Sequence, residues 1–351
     1  MTKVLIALSG GVDSAAAAWL LKEQGFPCAG AMMKLFPGDN SPENDARAVA
    51  ERLDMPFYLL DCVNEFQQTV ITPFIAAYQN GLTPNPCVVC NRRMKFGLFL
   101  QRARELGCDF IATGHYARVE RDGERYLLKK GLDGTKDQSY VLYTLSQEQL
   151  THALFPLGEL TKPQVRALVA AHGFANAQKP ESQDICFVPD GGYAAFIQNE
   201  QLSTLSPSGR FIDTEGRDLG PHKGLIHYTV GQRRGLGLSS ENRLYVKELR
   251  PSDNTVVVGA EETLYESVVY ANDINLIPFE RLDRPMRVKA KLRYKHPEQP
   301  ATVRQLDEDT LRVEFDSPQR AVAPGQSVVL YDGEIVVGGG TIVSEQLTVN
   351  S

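Results

Sequence analysis

Residues 4–14 read Val-Leu-Ile-Ala-Leu-Ser-Gly-Gly-Val-Asp-Ser, and the Ala-rich stretch Ser14–Leu21 follows at once. The apolar run Val4–Leu8 has the length and composition of a buried parallel strand. Gly10 and Gly11 let the backbone turn tightly, and the alanines start a helix. In that order, these pieces aim unpaired backbone N–H groups and the positive helix end at one point, which suits a phosphate. Asp13 adds a carboxylate for Mg²⁺, and Ser14 adds a hydroxyl for phosphate oxygens. No Gly-Lys-[Ser/Thr] follows, so this is not a Walker A loop. It is not Gly-x-Gly-x-x-Gly either. The plain alternative is a glycine-rich strand-to-helix turn that binds nothing. Against it stands the order of strand, glycines, acid and helix, which is the order a phosphate site requires.

The loop resembles the PP-loop of the ATP pyrophosphatases, which cleave ATP between its α and β phosphates and adenylate a substrate. At 351 residues the chain has room for two or three domains. Its apolar runs are far too short to span a membrane. One Lys and a short strand at the start do not read as a signal peptide. Six cysteines in this length do not make a disulfide scaffold. They are expected as reduced thiols, ligands or catalysts, and the protein is expected in the cytosol. A net charge of −6 argues against general nucleic-acid affinity, so any RNA role must rest on a local basic patch.

Residues 1–200 alternate strand-like and helix-like segments: strands at Val4–Leu8, Cys28–Leu35, Phe57–Asp61 and Asp109–Thr113, with helices between them. A polar loop, Thr83-Pro84-Asn85-Pro86, leads to Cys87 and a helix from about Arg92. This alternation predicts an α/β fold, a doubly wound parallel sheet covered on both faces. Ligands of such sheets sit beyond the carboxyl ends of the strands, where both Ser9–Ser14 and Thr113-Gly114-His115 fall. A linker at Ser203–Ser208 opens a glycine-rich central domain, 201–270, that contains Gly231-Gln232-Arg233-Arg234-Gly235-Leu236-Gly237. Short β-segments separated by Pro, Asp and Gly turns then predict a C-terminal β-barrel over 271–351.

Cys87-Val88-Val89-Cys90 is a C-x-x-C without the second pair that a structural zinc site wants. Cys186 stands in Ser182-Gln183-Asp184-Ile185-Cys186-Phe187-Val188. Beside an ATP-activating loop these thiols have a specific use. ATP can adenylate a carbonyl oxygen and make it a leaving group; a persulfide on one cysteine can deliver sulfur, and a second cysteine can resolve it through a disulfide. A pair of cysteines without chemistry is the bland reading. Cys28, Cys62 and Cys108 lie on or beside strands and read as packing residues.

Across nearly the whole chain the motifs resemble those of the bacterial tRNA-specific 2-thiouridylase family. They are Ser9–Ser14, Thr83–Asn91, Ala112-Thr113-Gly114-His115-Tyr116, Lys136-Asp137-Gln138-Ser139-Tyr140, Ser182–Val188, Tyr228–Gly237 and Ala323-Pro324-Gly325-Gln326, in family order. The resemblance implies a PP-loop domain of the adenine nucleotide α-hydrolase type that uses ATP and Mg²⁺. ATP contacts would come from Ala7, Leu8, Ser9, Gly10, Gly11, Val12, Asp13, Ser14, Met33 and Gly114, with Asp13 also counted as catalytic. It implies that Cys186 carries a persulfide and that Cys90 is the nucleophile, the two forming a transient disulfide. tRNA contacts would come from Asn85, Pro86 and Cys87 at the target base, and from Lys136, Asp137, Gln138, Arg293 and Tyr294 elsewhere. The implied partners are tRNAs for Lys, Glu and Gln, and a cysteine desulfurase or sulfur relay protein. Some members carry an Asp, proposed as acid/base, where this chain has Cys87. Cys87 could take that role if Arg92, Arg93 or Lys95 lowered its pKa. The alternative is a [4Fe–4S] cluster on Cys87, Cys90 and Cys186 with one iron open for sulfide.

Residues 287–295 read Arg-Val-Lys-Ala-Lys-Leu-Arg-Tyr-Lys. As one strand, this segment would put Arg287, Lys289, Lys291, Arg293 and Lys295 on one face about 6.6 Å apart, a row that favours a polyanion over a merely solvated face. A stacked anticodon uridine would have to flip out to reach the cysteines. The six histidines form no metal pattern by spacing; His115 either lines the ATP pocket or is structural. Two rival functions remain: an amidating PP-loop ligase on a small molecule, which would not need Cys90 or Cys186, and an RNA-binding or metal-sensing protein with a degenerate ATP fold.

Overall fold

The computed structural model describes residues 2–38, 41–174, 176, 179, 185–188, 192–200, 207–240 and 242–344. Ser182-Gln183-Asp184 of the Cys186 motif, most of the 203–208 linker and the tail beyond 344 lie outside them.

Five parallel strands form the first sheet in the order Phe57–Asp61, Cys28–Lys34, Val4–Ala7, Phe110–Ala112, Ala153–Leu154. The chain reverses its direction of travel across the sheet at Val4–Ala7. That reversal opens a crevice at the carboxyl ends of Val4–Ala7 and Phe110–Ala112, where open α/β sheets bind ligands. Val4, Leu5 and Ile6 are fully buried, as a strand covered on both faces must be. The helix Val12–Glu23 leaves directly from the first strand, and Ala15, Ala16, Ala17 and Ala18 are all buried. Methyl side chains let it sit close to the sheet on one side and to the helix Lys162–Ala171 on the other.

The parallel alternation is interrupted once. Ala117–Asp122 and Arg125–Lys130 form an antiparallel hairpin that leaves the sheet and joins the barrel through Lys129 and Ile335. The barrel has six strands, Tyr265–Leu276, Met286–Lys291, Gln299–Gln305, Leu311–Arg320, Ser327–Asp332 and Ile335–Val343, closed by pairing of the first with the last. Gly338 permits that closure, since a Cβ would stand 2.0 Å from the Asn275 carbonyl, and Gly339 lets the preceding strand close in, since a Cβ there would stand 2.2 Å from the Val328 carbonyl. Between the two lies a four-stranded sheet, Tyr245–Arg250, Thr255–Gly259, Gly209–Asp213 and Asp218–His222, around Phe211, Tyr228 and Val256. Among the described residues no helix is long and apolar enough to cross a membrane.

The barrel shares an apolar core with the α/β part through Val329, Tyr331 and Val336, and hydrogen bonds fix the junction. The Thr83 N–H donates to the Pro324 carbonyl at 2.8 Å, and Gln326 Nε2 donates to the Thr83 carbonyl at 2.8 Å. Tyr140 Oη donates to the Ser327 carbonyl at 2.8 Å. Thus the Ala323–Gln326 motif holds the loop that leads into Asn85-Pro86-Cys87.

Candidate active site

The nucleotide loop is tied to itself. Ser14 Oγ donates to the Gly11 carbonyl at 3.1 Å and accepts from the Ser9 N–H at 3.2 Å. Gly11 is the N-cap of the following helix and supplies no side-chain cap, so the first amides of the helix remain for a ligand. Gly10 has φ +71°, and a Cβ there would meet the Pro42 carbonyl at 2.7 Å. At the neighbouring strand end a Cβ on Gly114 would stand 2.8 Å from the Asp13 carbonyl carbon and 3.0 Å from Ser14 N. Only a hydrogen lets Gly114 approach the loop this closely. Met33, the penultimate residue of the strand Cys28–Lys34, is half-buried against the core that includes Leu5.

Asp13 is held by residues that local reading of the sequence misses. Lys162 Nζ donates to its Oδ1 at 2.7 Å, and Tyr116 Oη donates to the same oxygen at 2.8 Å. The Lys162 side chain is 8% exposed against 33% for Asp13, so the lysine is buried and the carboxylate faces the crevice. Lys162 opens a helix whose Thr161/Gln164 capping box is legible in sequence; its reach to Asp13 is not. Gln138 anchors Tyr116, donating its N–H to the Tyr116 carbonyl at 2.9 Å and accepting the Tyr116 N–H at 3.0 Å. Asn176 Nδ2 donates to the Gly10 and Gly11 carbonyls at 3.3 and 3.2 Å.

His115 takes the structural alternative. It is buried, its Nδ1 lies 2.7 Å from Thr113 Oγ1, and Phe96 and Phe155 pack on its ring. Burial, reinforced by the Lys95 charge, holds its pKa well below the usual histidine range.

The cysteine helix starts earlier than the sequence suggests. Asn85 is its N-cap, accepting the Cys87 N–H at 3.2 Å, and Pro86 is its first residue. The Asn-Pro pair reads as a loop when isolated, but it is a cap followed by a proline at the first helical position. Cys87 and Cys90 therefore stand one turn apart on the opening turns of a helix. Ile185, Phe187 and Val188, the neighbours of Cys186, pack into the hydrophobic cluster that contains Cys90, Met94, Phe66 and Phe74. That packing brings Cys186 within electrostatic range of the two helix thiols, Cys90 and Cys87. Cys87 and Cys186 touch solvent and Cys90 is buried, but all three sit in a recess with protein on most sides. Desolvation consequently pushes every one of the three thiols up, Cys186 to about 11. The condition for an acid/base role of Cys87, a lowered pKa, is not met. Lys95 does pull it down, but burial outweighs it, and Arg92 is occupied with Asp273 at 2.7 Å. Among the described residues no three His, Cys, Asp or Glu side chains stand close enough to hold a metal ion. Cys28, Cys62 and Cys108 are buried.

The basic stripe is shorter than expected. The strand ends at Lys291, and Arg293, Tyr294 and Lys295 follow in a turn. Arg287 is neutralised by Asp316 through two bonds of 2.8 and 2.7 Å. Lys291 is half-buried over the rings of Tyr140 and Tyr294. Lys289, Arg293 and Lys295 remain exposed. The turn carries Tyr294 toward Cys87: its Oη donates to the Asp137 carbonyl at 3.1 Å, and it lies within electrostatic range of Cys87. Asp137 is itself engaged, accepting from the Gly131 and Ser139 N–H groups at 3.1 Å. Lys136 lies in the same segment.

Three family models match in chain order: a tRNA methyl transferase HUP domain over residues 2–190, a tRNA methyl transferase PRC-barrel domain over 195–260, and an aminomethyltransferase β-barrel domain over 266–342. The chain is 46% identical to a tRNA-specific 2-thiouridylase, MnmA, of Clostridioides difficile, with 97% of this chain and 98% of that one covered. It is 50% identical to the MnmA of Moorella thermoacetica, with 97% and 99% covered. A solved 4-thiouridine synthetase–RNA complex with bound ATP matches 53% of this chain and 45% of its own at 18% identity, with a TM-score of 0.39, too distant to bear on function. With near-complete coverage at this identity, the chain belongs to the tRNA-specific 2-thiouridylase (MnmA) family.

Proposed function

We propose that this chain is an ATP-dependent tRNA-uridine 2-sulfurtransferase that converts the wobble uridine of tRNA to 2-thiouridine. The observation that carries the reading is the meeting of Cys90 and Cys186 in one recess, in a chain nearly half identical to named 2-thiouridylases over almost its full length. The family descriptions use the word methyl transferase, but a phosphate loop beside paired thiols suits adenylation and sulfur transfer.

In this reading the helix amides after Gly11, with Ser9 and Ser14, hold the ATP phosphates, and Mg²⁺ accompanies them and neutralises charge. Uracil O2 attacks the α-phosphate and pyrophosphate leaves. A persulfide on Cys186, loaded by a cysteine desulfurase or relay protein, attacks C2 and AMP departs with O2. The Cys90 thiolate then attacks the Cys186 sulfur, which frees the 2-thiouridine and leaves a Cys90–Cys186 disulfide. The same cysteine pair can instead first release sulfide from the persulfide, which then attacks C2. In either order a cellular thiol reductant restores the pair. Asn85, Pro86 and Cys87 border the target base, while Lys136, Asp137, Gln138, Arg293 and Tyr294 hold tRNA, with the Lys, Glu and Gln tRNAs as expected substrates. Chemistry through free thiols belongs in the reducing cytoplasm.

The test is nucleoside mass spectrometry of unmodified tRNA incubated with enzyme, ATP, Mg²⁺, a desulfurase and cysteine. The expected product is 2-thiouridine, absent with Cys186→Ser. ATP cleavage without thiolation by the wild type would overturn the reading and return the amidating ligase.

A further inference from the structure

The helix that carries Cys90 departs from α geometry. From Cys90 to Leu98 the backbone follows π spacing, between α turns at Pro86–Val89 and Phe99–Glu105. Such segments are rare and appear frequently at functional sites. This one has an external prop. Gln149, on the short helix Gln147–Thr151, donates its Nε2 to the Arg92 carbonyl at 3.1 Å and to the Phe96 carbonyl at 3.0 Å. Both hydrogens of the carboxamide go to the π segment. Its Oε1 does something separate: it accepts the Ser146 N–H at 3.0 Å, half of a capping box whose other half is Ser146 Oγ accepting the Gln149 N–H at 3.2 Å. A capping box needs only the oxygen, and Glu serves it as well as Gln. The nitrogen therefore has no role in its own helix.

The π turn matters for what shares a face with Cys90. In an α-helix the residue five positions on lies roughly 140° around the axis. The π hydrogen bond joins residue i to i+5 and brings Lys95 back toward Cys90. Arg92 fixes the same turn from the barrel side through its two bonds to Asp273 at 3.0 and 2.7 Å. We propose that Gln149 is a positioning residue for sulfur transfer: its carboxamide nitrogen holds the π turn that sets Cys90 and Lys95 together in the recess with Cys186. The catalytic consequence rests on the thiolation reading; the geometric claim does not.

Gln149→Glu separates the two roles, keeping the cap oxygen and removing both donors. Three readouts are compared with wild type: amide hydrogen exchange over 90–98, the iodoacetamide alkylation rate of Cys90 relative to Cys186 by peptide mapping, and thiolation kinetics. The expected result is exchange faster by about tenfold, an alkylation ratio changed by threefold or more, and kcat lower by about tenfold with KM for ATP and tRNA unchanged. Ser146→Ala, which breaks the cap alone, is expected to lower Tm and leave all three unchanged. If Gln149→Glu does not fold, Gln149→Met carries the same expectation. Wild-type exchange and alkylation in the Gln149 variant, or equal changes in Ser146→Ala, would overturn the proposal. A wild type that fails to thiolate would sink the functional reading alone, since exchange and alkylation still judge Gln149.

Discussion

The nucleotide loop and the cysteine recess face the same end of the parallel sheet but are built in opposite ways. The loop is local: strand, two glycines and helix within Val4–Glu23, with Ser9 and Ser14 bonded across five residues. The recess is assembled from far apart, with Cys87 and Cys90 from one helix, Cys186 from a later segment, and Tyr294 from the barrel. The loop leaves backbone amides open to a ligand, whereas the recess desolvates its thiols and holds them protonated. A locally built site is robust and recognisable; a site built from distant pieces depends on every docking contact that joins them.

That contrast can be broken most strongly at the thiols. Cys90→Ser and Cys186→Ser are expected to lower thiolation by on the order of 10³-fold or more, with ATP affinity by calorimetry unchanged. Loss of ATP binding in either variant would show that the two sites are one unit. The pH dependence is the next largest effect. The Cys186 thiol sits at about 11 because burial disfavours the thiolate, so its thiolate fraction grows about tenfold per pH unit below that value. Its alkylation, followed by peptide mass spectrometry, should climb steadily from pH 7 to 10; a plateau by pH 8 would mean that the recess is wetter than described.

Gly114→Ala sharpens the comparison from the other side. The new Cβ meets Asp13 at 2.8 Å, a strain of about 1–3 kcal/mol, so ATP affinity should fall by roughly 10- to 100-fold while Cys90 alkylation keeps its wild-type rate. The smallest effect belongs to the barrel surface. Lys289→Gln with Lys295→Gln should flatten the salt dependence of tRNA binding by about two in log–log slope. Arg287→Gln should leave it unchanged, because Asp316 already takes that charge. An equal drop for Arg287→Gln, measured by anisotropy titration across salt, would restore the full stripe.

What was legible in the chain followed a simple physical division. By itself the sequence determined the strand–loop–helix of Val4–Glu23, the parallel alternation and the all-β C-terminal part, because hydrophobic period, glycine turns and helix caps act over a few residues. The Asn85-Pro86 cap was equally local, yet reading it as a loop shifted the cysteine helix by half a dozen residues. Tertiary structure alone decided that Lys162 and Tyr116 hold Asp13, that Gln149 props a π turn, that Asp316 neutralises Arg287, and that burial outweighs Lys95 at Cys87. Each of these joins side chains remote in sequence, or sets desolvation against charge, and neither the meeting of distant residues nor the water they lose is written in the spacing along the chain.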